Sequence, residues 1–125
     1  MGNNYLHYVV DNHLSLYGRQ AGTPTVQLLL EKGIDANQQN MMGNTPLHAA
    51  VLKDIVAFSC LIASNKSTNV NIPNKMGQTA LHFAVRNWKT VYNSAYTNVP
   101  FTVSDIVITL VKKGANLNAK GIFST

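Results

Sequence analysis

Four histidines, one cysteine and five carboxylates are the side chains in this sequence best suited to metal or acid–base chemistry. His7, His48 and His82 recur in similar local contexts, and His13 stands apart from them. A zinc ion needs ligand atoms at about 2.1 Å from one centre. Equivalent positions on neighbouring repeated units lie about one helix-packing distance apart, roughly 8–10 Å, so these three histidines do not easily share one ion. Cys60 lies in an apolar run, and no base is placed beside it as a thiolate nucleophile requires. A lone cysteine also excludes an intramolecular disulfide framework. Among Asp11, Glu31, Asp35, Asp54 and Asp105 only Glu31 and Asp35 are close, and they fall in a turn, so no general acid/base pair is expected. The eight glycines form no phosphate-binding loop. The expectation is a protein without catalytic residues, cofactor or metal.

Composition points the same way. The chain has 125 residues, enough for one domain with a core, and 46% of them are hydrophobic. Only 12% are charged, about half the usual share, and 15 asparagines take up much of the difference. This is not the composition of a disordered chain. No apolar run approaches the roughly 18 residues of a membrane span. The opening Met1-Gly2-Asn3-Asn4-Tyr5 does not read as a secretory leader. A reducing, intracellular compartment, with the cytoplasm as default, is expected. The net charge of +5 includes eight lysines and two arginines scattered along the chain. Nucleic-acid binding needs a basic stripe on one face, so the dispersed charge favours an acidic protein surface as partner.

The elements that carry these residues are repeats. Gly43-Asn44-Thr45-Pro46-Leu47-His48-Ala49-Ala50 returns later in the chain as Gly77-Gln78-Thr79-Ala80-Leu81-His82-Phe83-Ala84, and Asn4-Tyr5-Leu6-His7-Tyr8-Val9 is a worn copy. A second segment, Leu28 to Asn37, returns as Thr109 to Asn118, with a looser version from Leu61 to Asn71. Thr45 and Thr79 stand at helix N-cap positions, and Pro46 at the first helical position, where its missing N–H is harmless. Second helices are predicted with apolar stripes at Val56, Phe58, Leu61 and Ile62, and at Ile106, Val107, Leu110 and Val111. Gly33 and Gly114 are predicted to end helices in the left-handed conformation, with Lys32, Lys112 and Lys113 near the negative helix end. The middle repeat has Ser64 to Thr68 instead, which predicts a longer, looser turn.

These segments resemble the ankyrin repeat, and the resemblance covers nearly the whole chain. It implies an all-α solenoid of helix-turn-helix units with β-hairpin-like fingers. The units are repeat one at about 1–40, repeat two at about 41–74, repeat three at about 75–118 and a partial finger at 119–125. The middle repeat is nearly regular between its box histidine His48 and its finger Asn71. The same interval is longer from His7 to Asn37, and longer again from His82 to Asn118. The surplus is placed at 11–24 and 87–102, both on one edge of the array. These segments carry His13, Leu14, Leu16, Tyr17 and Arg19, and Trp88, Lys89, Tyr92, Tyr96 and Phe101. Such aromatics cap their own domain, anchor a partner, or belong to plain variable loops.

In the resemblance, Thr45, Pro46, Leu47 and His48, with Thr79, Leu81 and His82, build the repeat. The box histidines bond within the finger scaffold. The finger asparagines Asn37, Asn71 and Asn118 bond the turn backbone, and are positions that an asparaginyl hydroxylase can modify in the family. The implied function is protein–protein recognition through finger tips, first helices and inserted loops. The expected contact residues are Met41, Met42, Asn44, Lys53, Lys75, Met76, Gln78, Phe83, Arg86, Asn87, Trp88 and Tyr92, with Ala49 and Leu52 beside them. Trp88, Lys53 and Arg86 are expected to dominate. Two alternatives stand beside this. One is a targeting segment of a larger enzyme, such as a bacterial effector acting in host cytosol. The other is a homo-oligomer joined through apolar, uncapped ends.

Overall fold

The first helices of repeats one and two start where a side chain can satisfy the open N–H groups of the first turn. The Thr45 hydroxyl accepts from the His48 backbone N–H at 3.3 Å. Asn4 does the same for His7 at 3.1 Å. The computed structural model describes residues 2–12, 22–92 and 101–122, and the side chains of 88–92 and 101–104 lie outside that description. Among the described residues there are six helices and no strand. They are α1 (Tyr5–Asp11), α2 (Gly22–Glu31), α3 (Pro46–Leu52), α4 (Val56–Ser64), α5 (Ala80–Tyr92) and α6 (Phe101–Lys112). The all-α repeat class read from the sequence is the class observed.

The helices form two rows. The first helices α1, α3 and α5 pack side by side, and the second helices α2, α4 and α6 pack behind them. The core runs along the seam. Leu6, Val9 and Val10 from α1, Val26 from α2, Leu47, Ala50 and Val51 from α3, Phe58 and Ile62 from α4, Leu81 and Ala84 from α5, and Ile106 and Leu110 from α6 are all buried. Small residues allow the rows to close. Gly22 faces the Phe58 ring so nearly that an added Cβ would sit 2.6 Å from it. The predicted stripes are only partly buried: Val56, Leu61 and Val107 are half-buried, and Val111 is exposed on the outer side of α6.

Gly33 and Gly114 end α2 and α6 with φ of +85° and +97°. The paired bonds Gly33 N–H to Leu30 O and Ile34 N–H to Leu29 O, both 3.1 Å, make the expected left-handed cap. The same cap closes α3, where Asp54 takes the glycine's place at φ +57°, with Ile55 N–H on Ala50 O at 3.0 Å. A side chain in this region costs about 1 kcal/mol relative to glycine. Asp54→Gly is therefore expected to raise stability by roughly 0.5–1 kcal/mol, seen as a higher urea midpoint at unchanged slope.

The glycine-free turn after α4 is not loose. The Asn65 side chain accepts from Ser67 N–H at 3.0 Å, and its carbonyl accepts from Thr68 N–H at 3.1 Å and from Lys113 Nζ at 2.9 Å. A side-chain oxygen and a lysine from the end of α6 replace what the glycine conformation supplies elsewhere. The surplus segments also start and end inside helices. Asp11 belongs to α1 and Gly22–Pro24 to α2, while α5 continues to Tyr92 and α6 begins at Phe101. His13, Leu14, Leu16, Tyr17, Arg19 and Tyr96 fall outside the described residues, as do the side chains of Trp88, Lys89, Tyr92 and Phe101.

Candidate functional site

The three box histidines are struts between repeats. In His48, Nδ1 receives the Thr45 backbone N–H at 3.0 Å. That group can only donate, so the ring proton sits on Nε2 and is donated to Gln78 O at 2.8 Å. His7 bonds the Asn4 N–H (3.1 Å) and Asn44 O (2.9 Å), and His82 bonds the Thr79 N–H (2.9 Å) and Lys120 O (2.9 Å). Each first helix thus holds the finger of the next repeat through one imidazole, and both ring nitrogens are engaged. Burial pushes the His48 ring below its ordinary pKa; the Gln78 bond opposes this, and the charges His7 and His82 would carry reinforce it. Cys60 is half-buried with its Sγ 3.5 Å from Thr109 Oγ1, at the α4–α6 contact.

Asparagines build the fingers. The sequence places Asn37 and Asn71 on their own turns; in the structure their side chains reach across to the next repeat instead. Asn37 donates to Ser67 O (2.8 Å) and accepts from Asn69 N–H (2.7 Å). Asn71 donates to Gly114 O (3.0 Å) and accepts from Asn116 N–H (2.7 Å). The turn-bonding role falls to the residue two places earlier: Asp35, Asn69 and Asn116 accept from the N–H of Asn37, Asn71 and Asn118, each at 2.9 Å. Proximity along the chain favours this local bond; only the stacking of repeats brings Ser67 or Gly114 within reach.

The finger tips are set by Asn40 and Asn74, which are absent from the residues singled out by sequence. The Asn40 side chain accepts from Met42 and Asn44 N–H at 3.0 and 3.1 Å. Asn74 accepts from Met76 and Gln78 N–H at 3.0 and 2.9 Å. Their equivalent places, just ahead of Gly43 and Gly77, are the signal that could have found them. Each hairpin is closed by one further bond, Asn40 N–H to Asn44 O (2.9 Å) and Asn74 N–H to Gln78 O (2.8 Å). Successive fingers touch through Lys75 N–H on Met42 O at 3.1 Å.

This frame presents an apolar and cationic surface. Met41, Met42 and Met76 are 59%, 61% and 76% exposed at the tips. Lys75 stands beside Met76, Leu52 and Lys53 are exposed at the end of α3, and Arg86 is exposed on α5. Arg86 is steadied by the Phe83 ring, whose centroid lies 5.1 Å from its guanidinium carbon. Four of the expected contact residues serve the scaffold instead. Phe83 is only 4% exposed and packs edge-on against His48, with ring centroids 5.5 Å apart. Asn87 is half-buried and donates to Val51 O at 2.9 Å. Asn44 and Gln78 are half-buried, their carbonyls taken by His7 and His48 and their side chains bonded to Asn74. Phe83, at the box position after the histidine, is covered where it meets His48 of α3, whereas Tyr8 at the same position of repeat one stays exposed. Trp88 and Tyr92 lie on α5, their side chains outside the description.

Comparison with known proteins agrees with this architecture. A family model for ankyrin repeats matches residues 6–121 as three copies. The Neurogenic locus Notch protein of Drosophila melanogaster is 39% identical over 61 residues, which cover 49% of this chain and 2% of that protein. The Neurogenic locus notch homolog protein 1 of Xenopus laevis is 40% identical over 58 residues, 46% of this chain and 2% of the relative. An ankyrin repeat protein of Rickettsia felis is 45% identical over 53 residues, 42% of this chain and 21% of the relative. The chain therefore spans a small fraction of the length of these relatives.

Proposed function

Since the chain belongs to the ankyrin repeat family, a generic protein–protein interaction module, we propose that it is a non-catalytic module that binds a protein partner with an acidic and apolar surface. The observation that carries the reading is the exposed row of Met41, Met42 and Met76 at the finger tips beside Lys53, Lys75 and Arg86. Methionine side chains adapt to irregular apolar surfaces, and the cations set orientation and attract carboxylates. The binding units are the repeats at about 1–40, 41–74 and 75–118, with Trp88 and Tyr92 as further contact residues read from the sequence.

A second reading, a targeting segment within a larger protein, is supported by the relatives, in which the matching stretch makes up 2% or 21% of the whole. The two readings use the same surface. A reducing intracellular compartment suits both, and host cytosol suits a bacterial effector.

The test is capture of partners from cell extract, identified by mass spectrometry, followed by titration of the purified partner. Lys53→Glu combined with Arg86→Glu is expected to weaken binding at least about tenfold and to flatten its salt dependence. Both residues are exposed, so the melting temperature should fall by only a few degrees, chiefly through loss of the Arg86 contact with Phe83. Unchanged affinity would exclude this surface.

A further inference from the structure

A shallow cavity of about 430 Å³ beside α1 is not part of the surface described above. Asn3, Asn4, Tyr5, Tyr8, Asp11 and Asn12 border it. Tyr5 and Tyr8 sit one turn apart with their rings stacked, centroids 5.9 Å apart and planes inclined by 27°. They are 58% and 55% exposed, at positions where the other two repeats have Pro46 and Ala49, or Ala80 and Phe83. Among the described residues none covers that exposed aromatic area. Asp11 stands one turn beyond Tyr8 and is exposed at the same rim.

Among the described residues the chemistry around the cavity is of one sign. The Asn3 and Asn4 amides carry scaffold bonds: Asn3 accepts from Asn40 Nδ2 at 3.1 Å, and Asn4 donates to Asp35 O at 2.8 Å and accepts from His7 N–H at 3.1 Å. What faces the opening is electron-rich: two aromatic faces, with negative quadrupoles, and one carboxylate. Among the described residues no lysine, arginine or histidine borders it, in a chain with ten Lys and Arg against five Asp and Glu.

We propose that this cavity receives a cationic side chain, arginine or lysine, presented by the protein partner. The proposal rests on the reading of the chain as a protein-recognition module and names a second contact for it. Arginine fits best, because a planar guanidinium stacks on a tyrosine face while its N–H groups bond the Asp11 carboxylate. The cavity lies at the repeat-one end of the row α1, α3, α5, and Lys53 and Arg86 lie further along it. A partner segment with a basic group at one end and acidic groups at the other is held in a single direction.

The probes are the peptides acetyl-Gly-Arg-Gly-amide, its lysine analogue and its neutral citrulline analogue. They are titrated into the full chain while the ring resonances of Tyr5 and Tyr8 are followed by NMR. The arginine peptide is expected to give saturable shifts and to bind about tenfold more tightly than the citrulline peptide, with lysine between them. Asp11→Asn is expected to weaken the arginine peptide about three- to fivefold, and Tyr8→Ala to remove the saturable shift at Tyr5. Both variants alter exposed side chains, and circular dichroism checks that they fold. Equal binding of arginine and citrulline peptides, or no saturable shift in the unaltered chain, overturns the proposal. So does sedimentation in which the unaltered chain dimerises and Tyr8→Ala is monomeric, because the rings then serve self-association. Saturable shifts together with unchanged partner capture by the Lys53/Arg86 double variant leave the cavity standing and remove the wider surface. The reverse pair of results does the opposite.

Discussion

His48→Ala is expected to cost about 3–5 kcal/mol, the sum of a cavity, one orphaned buried N–H and one lost bond between repeats. The ring is 1% exposed and packs against Phe83. Its removal leaves the Thr45 N–H without its ring acceptor and takes from Gln78 O one of its two donors, the Asn74 N–H remaining, so the bond between repeats two and three is lost. In a domain of this size the melting temperature should fall by roughly 10–20 °C. His82→Ala removes the same pair of bonds from a half-buried site whose freed groups can reach water, and should cost clearly less. Urea denaturation of the two variants checks the ranking; equal losses would mean that burial is not what makes the strut matter.

The same ring gives the fold a pH dependence of known sign. Burial lowers the folded pKa of His48 below its ordinary value of 6.5. The unfolded chain therefore binds a proton that the folded chain refuses, and stability rises with pH in that window. The His48 contribution is complete above about pH 6.5 and is lost as pH falls from there towards the lowered folded value, at up to about 1.4 kcal/mol per pH unit. Protonation puts a hydrogen on Nδ1, facing the Thr45 N–H that it must accept. Urea midpoints near neutral pH and near pH 5 should differ more for the unaltered chain than for His48→Gln, which does not titrate.

Gly43→Ala should be the second severe change, at roughly 2–4 kcal/mol. Gly43 sits at φ +80°, and a Cβ there would lie 2.6 Å from Lys75 N and 3.0 Å from the Cα and carbonyl carbon of Asn74. Those atoms are backbone and cannot swing aside. The finger has to tilt, which strains the neighbouring Lys75 N–H to Met42 O bond and shifts Met42, Lys75 and Met76 together. Gly77→Ala is the internal control: φ is +78°, but among the described residues nothing lies within 4 Å of the added Cβ. Its cost should be only the left-handed conformation, about 1 kcal/mol. Because repeat arrays are stabilised by neighbour-to-neighbour contact, Gly43→Ala should also lower the slope of urea unfolding, as repeats two and three part company. Partner affinity should fall with it, while Gly77→Ala leaves affinity nearly unchanged.

The contrast between these glycines marks the limit of what a sequence reading reaches. Both stand at the same place in the box, and both are recognisable as repeat punctuation. Only the stacked structure separates them, because the atoms that crowd Gly43 belong to the next finger, at Asn74 and Lys75. Phe83 and Asn87 stand among the expected contact residues for the same reason. Helical position puts them on the inner side of α5, but whether that side is covered depends on α3 beside it. In the sequence Tyr5 and Tyr8 are only parts of an apolar first helix; their pairing and their shared rim with Asp11 emerge from the fold.

Local pattern alone was enough for the repeat, the helix starts at Thr45 and Thr79, the glycine caps after α2 and α6, and the all-α class. Those features follow from bonds and spacings within a few residues, and are written locally wherever they occur. Stacking had the final word on which repeat each histidine nitrogen serves, on the reach of Asn37 and Asn71 to the neighbouring repeat, and on which of the candidate side chains stay in contact with water. Those outcomes depend on groups far apart in the chain and adjacent only once the repeats are stacked, and a one-dimensional pattern carries no record of which face a neighbour will cover.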